Sequence, residues 1–377
     1  MESSNSEKFM SKTNNLEYYF FTLIRSALWG TPPVLSSTPC NDDWKELYDI
    51  SKEQTVTGIM LDAVSQLPEE QKPETALRLQ WIMAQKSIEV QNRKMDNVLA
   101  CLVSECHEQG LEPYLLKGQS MAQNYPIPGH RICGDIDIYF KEDSYAKALD
   151  YFHSKGFVLE GEPGDSHIET TYKSFKVEIH RKSATFYTKR LQRRYNAIMQ
   201  QLIGQENTNV TINDKDITVL PPLANALQLL SHMLRHMIFS GLGLRQVCDW
   251  TLFAYKYQKS MDKELFVKYT KELQLWETYK AVTAIATDYL GLPKEYAVCE
   301  ITEKDKKLAK KVFQLIMTYG NFGHYGEHSI TESKSEYLKA YLWKVKNCIR
   351  FRKLSRSETW NYPLWQLHSA FGIMRKK

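Results

Sequence analysis

Residues 115–120 read Leu-Leu-Lys-Gly-Gln-Ser, and residues 131–138 read Arg-Ile-Cys-Gly-Asp-Ile-Asp-Ile. Successive side chains of a β-strand point to opposite faces, so Asp135 and Asp137 project together while the isoleucines beside them point into the core. Two carboxylates a few ångströms apart repel each other unless a cation lies between them. Mg²⁺ prefers hard oxygen ligands and keeps positions open for phosphates. The stretch therefore predicts a metal site on one short strand.

A third carboxylate follows on a later apolar segment. Residues 175–180 read Phe-Lys-Val-Glu-Ile-His, in which apolar and polar side chains alternate as they do in a half-buried strand. Glu178 would thus share the polar face of this strand with Lys176 and His180. Three carboxylates can hold two metal ions about 3.5–4 Å apart. We therefore expect Asp135, Asp137 and Glu178 to form one metal-binding set.

The Lys-Gly pair at the end of the first apolar segment predicts a phosphate-binding turn. A glycine at position 118 lets backbone amides approach a phosphate, and the start of a helix favours negative charge. The hydroxyl of Ser120 would add a hydrogen bond. Either Lys117 or Arg131 would neutralise charge on a triphosphate. The nucleotide-binding candidates are therefore Lys117, Gly118, Ser120 and Arg131.

Each of these patterns is weak when it stands alone. An isolated Asp-x-Asp is usually a solvated strand face, and a Lys-Gly at the end of a strand is more common still. The ordered set is far rarer: an apolar strand, a glycine, a short helix, Gly-Asp-Ile-Asp-Ile, and then Val-Glu-Ile on a third strand. The set favours a metal site over a structural strand.

This set resembles the nucleotidyltransferase superfamily whose prototype is the palm of DNA polymerase β. The resemblance implies a metal-dependent transfer of a nucleoside monophosphate from an NTP to an acceptor hydroxyl, with release of pyrophosphate and with Mg²⁺ or Mn²⁺ as the metal. A branch of uncharacterised bacterial nucleotidyltransferases is more similar still. The matching residues are Leu116-Lys117-Gly118, Tyr125-Pro126, Arg131, Gly134-Asp135-Ile136-Asp137, Glu178-Ile179-His180 and the helical block 232–249.

Two positions depart from the family pattern. Gln119 stands where the family has a second glycine or a serine, and Ser120 follows one place later, so the grip of this loop on a nucleotide is less secure. The third carboxylate is Glu178 instead of the commoner aspartate, which changes its reach by one methylene. Neither departure removes a metal ligand. We therefore expect an active enzyme in preference to a family member that binds its nucleotide without turnover.

The spacing of apolar residues changes at two points along the chain. Residues 1–110 and 221–377 show helical spacing of apolar residues, whereas residues 111–220 alternate short apolar runs with turns and short helices. This pattern predicts an α+β protein with a small mixed sheet, the nucleotidyltransferase core, between N- and C-terminal helical regions. Strands are expected at 113–116, 136–140, 157–159, 169–172 and 175–179, and a hairpin at 210–220 that turns at Asn213-Asp214-Lys215.

Composition indicates an ordinary globular protein. Of the 377 residues, 43% are hydrophobic and 25% are charged, and the net charge of +5 suits a protein that handles phosphates without itself indicating nucleic acid. The seven cysteines form no CxxC pair, which favours reduced thiols and a reducing compartment. The polar N-terminus lacks a signal peptide, and no run is long enough for a membrane helix. We expect a soluble, cytoplasmic protein.

Two groups of residues further along the chain give weaker signals. His232, Arg235 and His236 share one face of a helix. A histidine pair at this spacing can bind a metal, but without an accompanying glutamate we expect these side chains to face the cleft or to be satisfied by neighbouring polar groups. Arg245 and Asp249 are one turn apart, so they favour a local ion pair or a structural role between helices.

The stretch 180–194 is basic and contains two aromatic residues. It favours a solvated helix face, and the alternative is a surface for an anionic acceptor such as RNA. The acceptor itself could be a small molecule, a protein side chain or an RNA end. An alternative function is that of a nucleotide-binding regulator or a toxin–antitoxin-like component with little turnover. A purely structural Asp-x-Asp strand is the third reading.

Overall fold

The computed structural model describes residues 2–161, 167–204, 208–239, 241–321 and 334–375. Within these ranges one six-stranded mixed sheet lies between helices contributed by both ends of the chain. The predicted α+β class, with a small mixed sheet and helical flanks, is confirmed. The division into regions 1–110, 111–220 and 221–377 stays a prediction.

The N-terminal helices form because apolar side chains recur every three or four residues and bury one face. In the first of them Phe20, Leu23 and Ile24 are almost completely buried. The long segment before the sheet is a single helix that contains no proline. The helices are α1 (Glu2–Trp29), α2 (Asn41–Glu53), α3 (Thr57–Ser65) and α4 (Thr75–Glu108).

The sheet has the strand order β3-β4-β2-β1-β6-β5. Strand β2 runs parallel to β4, and β1 runs parallel to β6, whereas the other neighbours are antiparallel. The strands are β1 (Tyr114–Leu116), β2 (Ile136–Tyr139), β3 (His167–Tyr172), β4 (Phe175–His180), β5 (Thr208–Ile212) and β6 (Lys215–Val219), and helices α5 (Gly118–Ala122), α6 (Glu142–Ser154) and α7 (Lys189–Ile203) connect them.

The two faces of the sheet have different roles. Ile136, Ile138, Val177 and Ile179 point to one face, where they join a core with apolar residues of α4 and α6. The polar residues that alternate with them therefore point to the opposite face. This alternation places the carboxylates of β2 and β4 on the face that does not pack against α4.

The hairpin of β5 and β6 confirms the predicted turn. Ile212 pairs with Lys215 across two connecting residues. Asn213 and Asp214 have φ angles of 49° and 58°. A two-residue hairpin turn needs positive φ at both positions, and asparagine and aspartate tolerate that conformation better than most residues.

The C-terminal helices begin directly after the sheet. The segment 263–290 forms two helices separated at Gln274, whose φ is 56°. The helices are α8 (Pro222–Phe239), α9 (Leu244–Tyr257), α10 (Lys263–Glu272), α11 (Trp276–Tyr289), α12 (Glu303–Tyr319), α13 (Lys334–Arg350) and α14 (Arg356–Arg375). None of the helices in the described ranges is long and apolar enough to cross a bilayer.

One predicted strand is wrong. Residues 157–159 form no strand, and only an isolated bridge between Glu160 and Glu169 follows them. The ring of Phe157 lies 5.6 Å from those of both Phe152 and Tyr172. The apolar spacing here thus reflects packing of side chains against the core, not a hydrogen-bonded ladder.

A short loop segment around His130 fastens the N-terminal helices to the sheet unit. Asn92 of α4 donates to the carbonyl oxygens of Gly129 and Arg131, both at 2.8 Å. The Nδ1 atom of His130 lies 2.7 Å from Asp62 of α3, and its Nε2 atom lies 2.9 Å from Glu89 of α4. This segment leads into Asp135, so the helices fix the backbone that precedes the carboxylates.

A methyl group at Gly58 is expected to break this attachment. A Cβ atom there would lie 2.2 Å from the carbonyl oxygen of His130, a backbone atom that cannot move alone. Replacing Gly58 with alanine should therefore lower the free energy of unfolding by about 1–3 kcal/mol or more. The control is Gly129→Ala, since a Cβ atom there would meet no atom within 4 Å. Urea unfolding should show a change of less than about 0.5 kcal/mol for the control.

The contribution of His130 to stability is expected to depend on pH. Burial alone would lower the pKa of His130, but hydrogen bonds to Asp62 and Glu89 outweigh burial and raise it. A raised pKa in the folded state means that the stabilisation is complete below the unfolded value of about 6.5. It is lost as the pH rises through the folded-state pKa. In urea titrations, the difference in unfolding free energy between the wild type and His130→Gln should shrink as the pH rises above about 6.5; a difference that is constant with pH would contradict this.

Candidate functional site

Three carboxylates meet on the polar face of the sheet. Asp135 directly precedes β2, Asp137 lies in β2 and Glu178 lies in β4. Because β2 and β4 are parallel with Asp137 opposite Glu178, the register places these two side chains next to each other. Ligand oxygens of all three residues lie within 4.8 Å of one another. We call these residues the carboxylate cluster.

Cationic and ionisable groups contact the carboxylate cluster, among them Lys176, whose Nζ atom lies 3.2 Å from Oε1 of Glu178. The Nζ atom of Lys117 lies 2.9 Å from Oδ1 of Asp137. The Nε2 atom of His180 lies 2.8 Å from the same oxygen and 3.3 Å from Oε2 of Glu178. Sequence reasoning placed Lys117 at the site as a phosphate ligand, whereas in the structure it contacts a carboxylate. These contacts offset part of the negative charge of the cluster.

The burial and close spacing of the carboxylates affect their pKa values. Burial and the charge of Asp137 raise the pKa of Asp135 to about 6. Burial would also raise the pKa of Asp137, but Lys117 and His180 outweigh it and hold this pKa below its ordinary value. A set of three closely spaced oxygen donors with this much mutual repulsion fits a divalent cation that prefers oxygen ligands.

The turn after β1 has a strained backbone. Lys117 and Gly118 have φ angles of 40° and 45°. Positive φ at a lysine costs about 1–3 kcal/mol and is found mainly where the surrounding structure imposes it. Ser120 is buried and donates its hydroxyl to the carbonyl oxygen of Lys117 at 2.7 Å, and Gln119 is buried beside it. The hydroxyl of Ser120 thus closes the turn, and the phosphate-binding roles of Gly118 and Ser120 stay predictions.

Arg131 lies in a buried ion pair. Its guanidinium donates to both carboxylate oxygens of Asp249 in α9, with distances of 3.1 and 2.6 Å. The hydroxyl of Tyr125 donates to the same carboxylate at 2.8 Å. Arg245 donates instead to the carbonyl oxygen of Ile132. The expected local pair of Arg245 with Asp249 is therefore wrong; these hydrogen bonds join α9 to the segment before β2 and not to another helix.

A cavity of about 480 Å³ opens over the carboxylate cluster. Ligand sites in proteins have volumes of about 300–1,000 Å³. His232, Arg235 and His236 of α8 line one wall, which confirms that this face of the helix points into the cleft. Residues after β4 and residues of the last two helices also line the cavity; they are Lys182, Ser183, Thr185, Tyr187, Lys344 and Tyr362.

The two histidines of α8 are held neutral. Their Nε2 atoms lie 3.0 Å apart. Burial and the nearby Lys117 lower the pKa of His232, and the same two causes lower that of His236 to about 3. Neutral rings add no charge to the cavity wall, so its positive charge comes from lysine and arginine.

The basic stretch 180–194 is divided between different environments. Lys182 lines the cavity. Arg181 pairs with Glu142 at 2.8 Å, and Arg194 of α7 pairs with Glu272 at 2.5 Å, both as largely exposed ion pairs. The two arginines thus fit the expected solvated face. Lys182 alone among these three residues faces the candidate site.

Sequence reasoning missed several residues of the site. His180 was recognised on the polar face of β4 but not included in the site. His167 joins it because the antiparallel register of β3 places it opposite His180. Lys344 and Tyr362 come from α13 and α14, far along the chain. The alternation in β3 could have indicated His167, whereas no local pattern distinguishes Lys344 or Tyr362.

Comparisons with known proteins give a structural neighbour and a family match. Among solved structures, the chain is similar to an antigenic nucleotidyltransferase-like protein from Paracoccidioides brasiliensis, at 13% identity and a TM-score of 0.34 over 53% of this chain and 95% of that one. No curated protein matches significantly. The sequence profile of a family described as "Uncharacterised nucleotidyltransferase" matches residues 41–291. This match covers more than half of the chain and includes the whole carboxylate cluster. The chain therefore belongs to this family of uncharacterised nucleotidyltransferases.

Proposed function

We propose that this protein transfers a nucleoside monophosphate from an NTP to an acceptor hydroxyl and releases pyrophosphate. The hydroxyl oxygen would bond to the α-phosphorus while the bond from that phosphorus to pyrophosphate breaks, and the hydroxyl would lose its proton. The observation that carries this proposal is the meeting of Asp135, Asp137 and Glu178 at the floor of a cavity large enough for a nucleotide.

The carboxylate cluster would hold Mg²⁺, with Mn²⁺ as the alternative ion. Its oxygen donors fit such ions, and a cation there would relieve the burial and the repulsion from Asp137 that raise the pKa of Asp135. A bound pair of either ion would offset the negative charge of the triphosphate and favour ionisation of the acceptor hydroxyl. Glu178 would complete the metal set and polarise the hydroxyl. The resemblance of the sequence motifs to the polymerase β-like superfamily and its bacterial branch supports this proposal.

The walls of the cavity would bind the triphosphate. Lys182, Arg235 and Lys344 line it and supply positive charge. Burial lowers the pKa of Lys344, which indicates a lysine withdrawn from water. An anion next to such a lysine would restore the interactions that water provides elsewhere. Lys117 would share its charge between Asp137 and the phosphates.

The acceptor would enter over the same cavity as a small molecule, a protein side chain or an RNA end. All seven cysteines are free thiols, which fits a cytoplasmic protein. The test therefore includes all three classes of acceptor.

Calorimetry and product analysis together test the proposal. ATP, GTP, CTP and UTP are titrated in turn with Mg²⁺ present, and pyrophosphate release is then measured with each class of acceptor. We expect Mg²⁺-dependent binding of at least one NTP and release of pyrophosphate. Binding without release under all conditions would favour a nucleotide-binding regulator or toxin–antitoxin-like component. Absence of Mg²⁺-dependent nucleotide binding would contradict any nucleotide role for the site.

A further inference from the structure

A second group of ligating side chains adjoins the carboxylate cluster. His167 of β3 and His180 of β4 are direct partners across the antiparallel register. Side chains in such a pair have Cβ atoms about 4.5–5.5 Å apart on one face of the sheet. The two rings have their centroids 5.1 Å apart. Glu178 lies two residues before His180 and so shares that face.

The carboxylate of Glu178 is oriented between these histidines. Its Oε1 atom lies 3.2 Å from Nζ of Lys176. Its Oε2 atom lies 3.3 Å from Nε2 of His180 and 4.0 Å from Nε2 of His167. One oxygen is therefore held by a lysine while the other faces two imidazole nitrogens. Ligand atoms of His167, Glu178 and His180 all lie within 4.8 Å of one another.

These separations are close to those of a tetrahedral metal site. Donors bound at about 2.0–2.1 Å to Zn²⁺ in a tetrahedron lie about 3.3 Å from one another. The distance from His180 to Glu178 already has this value, and the distance from His167 exceeds it by 0.7 Å. A metal ion bound at Nε2 of His180 would replace the 2.8 Å contact of that atom with Asp137. His167 is partly exposed, and its Nε2 atom also lies 3.4 Å from Glu169, so metal binding requires this side chain to turn from Glu169 towards Glu178.

The chemistry of this set differs from that of the carboxylate cluster. Two imidazole nitrogens with one carboxylate favour Zn²⁺, Co²⁺ or a similar transition metal, whereas Mg²⁺ favours oxygen ligands alone. Three protein ligands leave a fourth tetrahedral position open, as in catalytic zinc sites. Glu178 belongs to both sets, so a metal held by the histidines would lie beside the carboxylate cluster.

We propose that His167, Glu178 and His180 form a binding site for a transition-metal ion of the Zn²⁺ type, next to the carboxylate cluster and bridged to it by Glu178. The two adjacent sites would form a mixed-metal centre, in which a metal site with two imidazole ligands lies beside a metal site with oxygen ligands alone. The inference deepens the proposed function by naming a metal class for this site. It is tested without nucleotide, so the failure of either proposal is distinguishable from failure of the other.

The test uses the full chain, free of nucleotide, titrated with Zn²⁺ by calorimetry and with Co²⁺ by visible absorption. Cys40 and Cys101 are exposed and are replaced by serine in every protein so that surface thiols do not compete. We expect His167→Ala and His167→Gln each to weaken Zn²⁺ binding by about 10–100-fold or more. Loss of a residue that only hydrogen-bonds a metal ligand already has an effect of this size. Both variants should also lose the Co²⁺ absorption of a nitrogen-ligated ion.

Two control variants define the site. His153→Ala removes an exposed histidine of α6 and should leave both titrations unchanged. Asp135→Asn alters the carboxylate cluster alone and should retain the Co²⁺ absorption. Wild-type Zn²⁺ affinity in both His167 variants, with unchanged melting temperatures, would overturn the proposal. So would loss of binding in Asp135→Asn with retention in the His167 variants, because the ion would then belong to the carboxylates.

Discussion

Replacing Asp137 with asparagine is expected to lower nucleotidyl transfer by about 10³-fold or more, which corresponds to about 4 kcal/mol of transition-state stabilisation. Asp137 is the central member of the carboxylate cluster: it lies opposite Glu178 in the register and contacts both Lys117 and His180. The amide of the new asparagine lacks the negative charge with which Asp137 would hold a divalent cation. Transfer of label from an α-³²P-labelled NTP measures the effect, and Asp135→Asn should give a loss of similar size.

The matched control for this loss is Asp216→Asn. Asp216 lies on β6 of the same sheet, is exposed, and hydrogen-bonds Thr211 away from the cavity. The same chemical change there should leave the transfer rate within a factor of about two, since exposed surface substitutions rarely have larger effects. Full activity in both Asp135→Asn and Asp137→Asn, with the fold retained, would show that the carboxylate cluster does not carry the reaction.

Replacing Asp249 with alanine should destabilise the fold by about 3–5 kcal/mol, because it leaves the guanidinium of Arg131 buried without its partner. Arg131 is only 6% exposed and both of its hydrogen bonds to Asp249 cross from the loop before β2 to α9. Tyr125 would lose its acceptor as well. Urea unfolding monitored by circular dichroism measures the change.

A double replacement separates the ion pair from its burial. In Arg131→Met with Asp249→Leu, apolar side chains of similar volume take the place of both partners. Such replacements of buried pairs are often neutral or stabilising. We expect the double variant to be more stable than Asp249→Ala. If the two were equally destabilised, packing and not the unpaired charge would be the cause.

The carboxylate cluster illustrates what a short pattern can predict. The alternation in residues 135–138 and 175–180 assigned Asp135, Asp137 and Glu178 to polar strand faces, and the structure brings all three together. The alternation is local and is set by the two-residue period of a strand. That all three would face each other depended on the pairing of β2 with β4. The metal-binding role of the cluster itself stays a prediction.

Other expectations depended on contacts that no local pattern encodes. The sequence around Arg131 does not identify its ion-pair partner, because Asp249 lies 118 positions later. Residues 157–159 have apolar side chains that suit either a strand or a loop packed on the core, and only the neighbouring rings decide between them. Lys344 reaches the cavity from the last part of the chain.

The sequence by itself determined the α+β class, the carboxylates on one face of two strands, and the two-residue turn between β5 and β6. These features follow from side-chain periodicity and from the backbone preferences of single residues, both of which are local. Only the tertiary structure decided which charges pair, that His167 and His180 lie beside the cluster, and which helices wall the cavity. Those features depend on strand register and on packing between residues distant along the chain, where many partners are chemically equivalent and geometry alone selects one.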